Sequence, residues 1–374
     1  MKSPVVEACE PPEQIRLPRG KYKLSRFTLF RPEADGFIIE SPFSAEQVRL
    51  SGSTIFQILQ VFLDGVEIET MLSGVGEKAR PLVERIIEKC LSCGFLIPVS
   101  DDGISEDETG DLKTWEFHDL YFHSRSRIGR HQNAVGGTFR YAEEMNMPGL
   151  LRQPPVGKPI ELFQPDMAAL QQSDVSLTQA LERRRTIRNA NAGSVSSEEL
   201  GEFLYRTSRI TSVENYNNGF SSGLRVYPGG GGMYPLEVYP LISSCNGLKN
   251  GLYYYHPLNH NLTTIPASEN CLENLLRDAR SAGGLEYNPA VLFLITARFS
   301  RTAWKYQSIA YSLILKEVGC LFQTFYLVAT AMNLAPCALG SGNSDSTSEA
   351  INRSYYLETS VGEFMLGPGA CNAD

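Results

Sequence analysis

Residues 302–332, TAWKYQSIAYSLILKEVGCLFQTFYLVATAM, contain the most apolar run of the chain, VGCLFQTFYLVATAM at 318–332. That run is shorter than the ~20 residues that a helix needs to span a bilayer, and it includes Gln323. A helix that is apolar on all sides without spanning a membrane is usually buried in a large core or at a subunit interface. We therefore predict a long buried helix that begins at about residue 304, with the Lys305–Tyr306 pair at its start.

On both sides of this segment, residues 176–374 have the pattern of one compact domain. Ser176 is followed three residues later by Gln179, and Ser196 by Glu199, and both capping-box patterns predict a helix start. Strand-like segments surround the long helix: LRVY (224–227), LEVYPLI (236–242), GLYYYHP (251–257), VLFLITARF (291–299) and VGEFMLG (361–367). Because strands and helices do not alternate regularly, the pattern favours an α+β layer over a doubly wound sheet.

The first 175 residues divide into three parts. Residues 1–20 are predicted to be a flexible tail, and residues 21–105 a small winged-helix-like module of strands, helices and a closing strand. Such a module can dock a peptide or a partner on its sheet edge, and the alternative is a merely stabilising extension. Residues 106–175 are predicted to be a linker and crossover. The acidic stretch SDDGISEDETGDLK (100–113), which overlaps the start of this segment, is typical of a solvated linker.

Composition limits the classes of partner. The chain has 374 residues, a formal net charge of -8 and 42% hydrophobic residues, as is typical of a two-domain globular protein. An excess of acidic residues provides no field that gathers nucleic acid or an anionic membrane, so neither is predicted as a partner. The segment MKSPVVEACEPPEQIRLPRG (1–20) lacks the apolar core of a signal peptide, which predicts a cytoplasmic protein.

Cysteine and histidine spacings do not predict a metal site or a disulfide framework. Cys90 and Cys93 form a C-x-x-C pattern with no second pair to complete a zinc site, so we interpret them as buried residues at a helix end. His118, His123 and His131 match no zinc signature.

Three segments are candidates for holding a cofactor. RRRTIR (183–188) offers forked guanidinium donors and a hydroxyl to an anion, although a solvated basic helix end has the same composition. YPGGGGMYPLEVY (227–239) permits close approach of a ring or phosphate, with a plain hairpin turn as the alternative. CALGSGNSD (337–345) follows the long helix and is equally compatible with a simple loop. No helix is predicted after the first glycine segment, where Pro235 leads into a strand, and no nucleotide-binding helix is visible, so the set favours a mononucleotide over NAD.

The order of these motifs resembles that of the nitroreductase-like flavoproteins, and within them the azoline dehydrogenases that oxidise thiazolines and oxazolines in peptide natural products. The resemblance covers most of the chain after residue 20, and it implies an FMN-binding mixed sheet flanked by helices, with the site between two subunits. It implies flavin contacts from an arginine motif and two glycine loops, which are Arg184, Thr186 and Arg188, then Gly229, Gly230 and Gly231, then Gly340, Ser341 and Gly342. Departures from the family pattern are Gly229 in place of a serine, Met233 in place of a basic or bulky residue, and the absence of lysine or arginine after Arg353.

The same resemblance implies catalytic roles for Lys305 and Tyr306. Aromatising an azoline removes a proton and a hydride from adjacent carbons, and the hydride goes to the flavin. Consecutive residues inside a helix point about 100° apart, so the pair can address one substrate only at or just before a helix start. There the positive end of the helix dipole and a dry pocket would lower the pKa of the lysine toward that of a usable base.

The resemblance also implies a set of partners. These are an azoline-containing peptide substrate, a cyclodehydratase or other maturation protein, and a second copy of the chain in a homodimer. Reduced FMN would be reoxidised by oxygen, since no nicotinamide-binding motif is visible. Two other functions remain open: an NAD(P)H-dependent nitro or quinone reductase on the same fold, and a flavin-free scaffold that docks a peptide.

Overall fold

The structure is a computed structural model that describes residues 16–34, 36–50, 54–188, 193–215 and 221–369. The chain divides into two compact units, with the division between Val135 and Gly136. Each unit has its own hydrophobic core. The boundaries predicted at residues 20, 105 and 175 stay predictions.

The first unit carries two three-stranded antiparallel sheets and several helices. Its strands and helices are β1 Lys21–Leu24, β2 Leu29–Glu33, β3 Gly36–Glu40, β4 Val48–Leu50, α1 Thr54–Val61, β5 Val66–Glu67, α2 Ile68–Ser73, α3 Arg80–Ser92, β6 Leu96–Pro98 and α4 Phe117–Arg125. The strand orders are β5-β1-β6 and β2-β3-β4. Cys90 and Cys93 lie buried at the carboxyl end of α3, which confirms their interpretation as helix-end residues.

The acidic stretch is more ordered than its composition predicts. It forms two short 3-10 turns, Glu106–Glu108 and Gly110–Thr114. Asp107 is buried, and its carboxylate accepts hydrogen bonds from the Ser25 hydroxyl at 2.9 Å and the Arg26 backbone N–H at 2.8 Å. The prediction of a solvated linker is therefore wrong at Asp107, because these two donors and the Ser105 hydroxyl, at 2.7 Å, replace water around this carboxylate.

The second unit contains the elements that position the candidate site. Its strands and helices are β7 Gly136–Gly137, β8 Ile160–Glu161, α5 Met167–Ser173, α6 Leu177–Arg183, β9 Val195–Ser196, α7 Ser197–Ser208, β10 Ile210–Asn215, β11 Ser221–Arg225, β12 Leu236–Ile242, β13 Cys245–Asn246, β14 Gly251–His256, β15 Asn261–Ile265, α8 Glu269–Gly283, β16 Val291–Arg298, α9 Phe299–Lys305, β17 Tyr306–Gln307, α10 Ala310–Ala331, β18 Ala335–Leu339, α11 Ser344–Ala350 and β19 Glu358–Gly367. Both predicted capping boxes are present, at the starts of α6 and α7.

A seven-stranded sheet in the order β18-β19-β16-β12-β14-β15-β8 forms the centre of this unit. Successive residues of β16 face opposite sides, so Phe293 packs with α7 and α10 while Leu292 and Leu294 pack with α8. Both faces are buried, which explains why β12 and β16 are apolar almost throughout. The predicted α+β class is confirmed. The sheet is more uniform than the mixed sheet of the resemblance, because each of its described pairings is antiparallel.

The long helix α10 begins later than the sequence predicts. It starts at Ala310, and the residues near 304 belong instead to the separate helix α9. By length and composition alone, α10 could cross a membrane, a test that core helices of soluble proteins also pass. Its buried stripe contains Ile314, Val318, Leu321 and Phe325, which pack on the sheet.

Candidate active site

The helical segment is interrupted between α9 and α10, and this interruption positions the predicted catalytic pair. Lys305 is the last residue of α9, and Tyr306 begins the short strand β17, which pairs with β7. Ser308 then takes a positive φ of 62°, which turns the backbone into α10. Lys305 thus lies at the negative end of a helix dipole, so the predicted dipole effect on its amine, which assumed a helix start, does not apply.

The pair converges on the predicted glycine loop. The Lys305 ammonium donates a hydrogen bond to the Gly231 carbonyl at 3.1 Å. Gly231 has φ 59° and ψ 28° within the 3-10 turn Gly230–Gly232. A Cβ on Gly231 would overlap the Tyr306 hydroxyl and lie 2.9 Å from the Lys305 nitrogen. Glycine is therefore required here by backbone conformation and by the close approach of two functional side chains.

The glycine that replaces the family serine also has a steric reason. A Cβ on Gly229 would lie 2.6 Å from Cε1 of Tyr234, a buried residue with a positive φ of 44°. The Tyr234 ring thus occupies the space that a serine side chain would need. As predicted, Pro235 leads from this loop directly into a strand, β12.

A buried carboxyl group that none of the predicted motifs contains lies beneath this loop. Glu317 of α10 is 3% exposed, and its Oε2 accepts a hydrogen bond from the Gly230 N–H at 3.3 Å. Oε1 has no partner within the part of the chain that the structure describes. Burial raises the pKa of Glu317 to about 7, against the opposing effect of the Arg225 guanidinium. A signal was present in the sequence, because Glu317 lies three residues after Ile314 on the apolar stripe of the helix.

A buried arginine, Arg301, contacts the backbone at the end of the same loop. The Arg301 guanidinium donates to the carbonyls of Met233, Pro148 at 2.6 Å and Ser221 at 3.3 Å. It is fully buried, and this burial lowers its pKa to about 9. Arg301 therefore holds three segments together: the backbone after the glycine loop, the crossover and the start of β11.

The predicted arginine motif lies at the other end of α10. The Thr186 hydroxyl is 2.9 Å from the hydroxyl of Tyr326, which accepts a hydrogen bond from the Ala338 N–H at 2.9 Å. The Arg184 guanidinium lies 5.5 Å from the centre of the Tyr326 ring. The backbone of Ile187 donates to the Pro336 carbonyl at 2.9 Å, so the motif runs in an extended form beside β18.

Arg188 faces an open depression with a volume of about 710 Å³. Thr186, Ile187 and residues 281–284 line the rest of it. Among the described ion pairs, none involves Arg184 or Arg188. The Arg188 guanidinium and the Thr186 hydroxyl, which line this depression, are donors of the kind that suits a phosphate group.

The second glycine loop follows β18 and is exposed. A Cβ on Gly340 would meet nothing within 4 Å, whereas one on Gly342 would overlap the carboxyl group of Glu363. Glu363 is buried on β19, and burial raises its pKa. Ser341 lies between these glycines and is exposed.

The catalytic pair, the first glycine loop and the arginine motif thus form two groups on one chain. The catalytic pair contacts the first glycine loop, whose Gly230 contacts Glu317, while the arginine motif contacts Tyr326. Glu317 and Tyr326 therefore mark the positions of the two groups on α10. These two residues are nine positions apart, which corresponds to roughly 14 Å along an α-helix. A single chain therefore brings together the members of each group, but it separates the two groups.

Two family models match the chain. The nitroreductase family model matches residues 181–367, which are 187 of the 374 residues. The model of the cyanobactin oxidase ThcOx matches residues 22–132. A candidate nitroreductase from Methanocaldococcus jannaschii is 26% identical over 201 residues, covering 54% of this chain and 94% of that protein.

The likeness to solved structures is more distant. A candidate nitroreductase from Anabaena variabilis is 20% identical with a TM-score of 0.46, over 66% of this chain and 45% of that chain. The Escherichia coli microcin synthetase McbBCD complex with truncated pro-MccB17 bound contains a chain that is 18% identical with a TM-score of 0.42, over 67% of this chain and 91% of that chain.

Proposed function

The chain belongs to the nitroreductase family and is an oxidoreductase, and we propose that it oxidises thiazoline or oxazoline rings of a peptide to thiazoles or oxazoles. The observation that carries this proposal is the convergence of Lys305 and Tyr306 on the Gly231 loop. An amine and a phenol at one point provide the proton acceptor that aromatisation needs. The cyanobactin oxidase match over residues 22–132 supports a peptide-derived substrate.

Lys305 and Tyr306 have complementary roles in this reaction. A C–H bond of the ring breaks, and its proton goes to the Lys305 nitrogen, with Tyr306 placed to share or relay it. The Gly231 carbonyl holds the amine in position through its hydrogen bond. A well-placed general base contributes roughly 100- to 10,000-fold in rate. The chemistry that FMN supplies when bound is acceptance of the hydride from the adjacent carbon.

The proposed cofactor is FMN. Proteins of the nitroreductase family typically bind flavin. The donor set of Arg184, Thr186 and Arg188 fits its phosphate, and the exposed loop at Gly340–Gly342 leaves space above Gly340 for a flat ring. A yellow protein with flavin absorbance after purification is the expected result, and a colourless one would favour the scaffold.

A homodimer would bring the two groups of site residues together. The glycine loop of one copy and the arginine motif of another can meet if their α10 helices pack against each other at a subunit interface. Tyr311 and Leu315 of α10 are 45% and 37% exposed, and a Cβ on Gly319 would meet nothing within 4 Å. Residues four apart share one helix face, so these three form an exposed strip suited to a second copy. Light scattering of the purified protein tests this, and L315R should shift a dimer toward monomer.

The first unit is proposed to dock the peptide. It has a cavity of about 400 Å³ beside the edge strand β6, and residues such as Tyr22, Phe43 and Leu96 line it. A peptide can add to a free sheet edge through main-chain hydrogen bonds while a pocket accepts one side chain. Fluorescence anisotropy with a labelled precursor peptide and the full chain measures this binding. The cytoplasmic location also stays a proposal.

The reaction itself is tested with a synthetic thiazoline peptide. Incubation in air without added nicotinamide should remove two hydrogens from the peptide, which mass spectrometry detects. Rapid bleaching of the bound flavin by NADPH, with no change in the peptide, would favour the reductase.

A further inference from the structure

We propose that Gly137, Phe139, Lys305 and Tyr306 line a substrate recess that takes the planar five-membered ring of the peptide, with Gly137 and Phe139 determining which rings fit. This inference rests on the proposed function, because it assigns a binding place to the ring that Lys305 deprotonates. It adds two residues of the crossover that neither the motifs nor the family matches single out.

The missing side chain of Gly137 defines the floor of this recess. A Cβ built on Gly137 would lie 3.7 Å from Cε2 of Phe139, 3.9 Å from Cε of Lys305 and 4.0 Å from Cε1 of Tyr306. These are ordinary van der Waals distances, so three side chains stand around the glycine as walls. Gly137 does not have a positive φ, so its backbone conformation does not require glycine. Its small size therefore keeps open a space beside the proposed base.

Backbone pairing fixes the walls relative to the floor. Gly137 is the cross-strand partner of Tyr306 in the β7–β17 ladder, and paired residues present their side chains on the same face. The Phe139 N–H donates to the Lys305 carbonyl at 3.1 Å, and the Thr138 hydroxyl lies 3.2 Å from the Gln307 side-chain oxygen. The recess is thus built from two segments that are hydrogen-bonded to each other along its length.

Phe139 has the properties of a contact residue more than those of a core residue. It is 44% exposed and has a positive φ of 53°, which is uncommon for a bulky side chain. Its ring packs edge-on against Trp304 at 5.7 Å, and the indole N–H donates to the Met145 carbonyl at 2.9 Å. Strained conformations that the surrounding structure holds in place cluster at functional sites. The strain here orients an exposed aromatic face next to Lys305.

The dimensions and chemistry of the recess suit a flat ring. The Lys305 nitrogen lies 5.8 Å from the Phe139 ring centre and 5.3 Å from the Tyr306 ring centre. A five-membered azoline or azole between these walls would stack on an aromatic face and place its C–H bonds within reach of the amine. Stacking of two rings contributes enough affinity to change KM by roughly 3- to 10-fold.

Two glycine and two phenylalanine variants test the recess in the full-length protein. G137A puts a methyl group into the recess without a clash, and one added methyl group in a binding pocket changes discrimination by about tenfold or more. We expect G137A to raise KM for a thiazoline peptide about tenfold, with thermal stability and flavin content unchanged. F139L should raise KM by roughly 3- to 10-fold, while F139Y should keep it near the wild-type value because the ring is retained.

The matched control is G149A, in the same crossover. Its new Cβ would also lie in ordinary contact, 3.6 Å from the Leu151 carbonyl oxygen, but away from Lys305. G149A should have wild-type KM. An active wild type with unchanged KM in G137A and F139L would overturn the recess while leaving the proposed reaction intact. A wild type that binds flavin yet leaves the peptide unchanged would overturn the proposed reaction and, with it, the assignment of the recess.

Discussion

Replacing Gly231 by alanine should inactivate the enzyme through a steric effect on the catalytic pair. The new Cβ would overlap the Tyr306 hydroxyl and lie 2.9 Å from the Lys305 nitrogen, so both groups must withdraw from the loop. A misplacement of about 1 Å costs roughly 100-fold in rate. Alanine at a left-handed φ also destabilises the fold by about 1–2 kcal/mol, independently of the clash. We therefore expect kcat to fall roughly 100-fold, more than this loss of stability alone would produce.

G232A separates the two effects. Gly232 also has a positive φ, 72°, but its Cβ would meet only Ser222 at 3.5 Å. Both variants should lose similar stability in urea denaturation, whereas G232A should lose less than about threefold in kcat since it does not displace the pair. Kinetics on a thiazoline peptide, with flavin content checked by absorbance, provides the comparison. Equal losses of kcat in the two variants would refute the reasoning, because the backbone cost alone would then explain the effect.

Other predictions concern the proposed base, the buried carboxyl and the phosphate donors. K305M and Y306F should each lower kcat by roughly 100-fold or more while retaining flavin absorbance, and retained activity would remove the pair from the chemistry. Burial raises the pKa of Glu317 from 4.5 to about 7, so the native state binds more protons than the unfolded state between these pH values. The free energy of unfolding of the wild type relative to E317Q should thus be highest below about pH 4.5 and fall by roughly 3 kcal/mol as the pH rises to about 7. Urea denaturation at several pH values measures this difference, and a difference that does not change with pH would contradict the prediction. R188A should lower the flavin content after purification, whereas R185A, which removes an exposed neighbour, should not; equal retention would exclude a phosphate contact at Arg188.

Local signals in the sequence predicted a large part of the fold. The capping boxes at Ser176 and Ser196 mark the starts of α6 and α7, and the apolar β-rich segments became the central strands. These predictions succeeded because capping and periodicity depend on neighbours within a few residues. The order of the glycine and arginine motifs in the sequence also indicated the family.

Features that depend on distant contacts were not predictable in this way. No glycine or proline interrupts WKYQSIAY, yet the helix breaks there because β17 pairs with a strand about 170 residues earlier in the chain. Likewise, Phe139 has a positive φ and donates its N–H to the carbonyl of Lys305, a residue far away in the chain. Glu317 was overlooked, although its position on the apolar stripe indicated burial. Tertiary pairing determined the site geometry in each case.

The β7–β17 ladder has a consequence for how this chain can change in length. The Gly137–Tyr306 pair and the hydrogen bond from the Phe139 N–H to the Lys305 carbonyl fix the spacing of this segment, so removing one residue between 136 and 139 would displace Phe139 from Lys305. Residues 142–144 are exposed and lie beyond the ladder, so an insertion there leaves the register intact. Natural insertions and deletions in this crossover should therefore accumulate after Tyr141, and loop grafting aimed at new substrates should begin there.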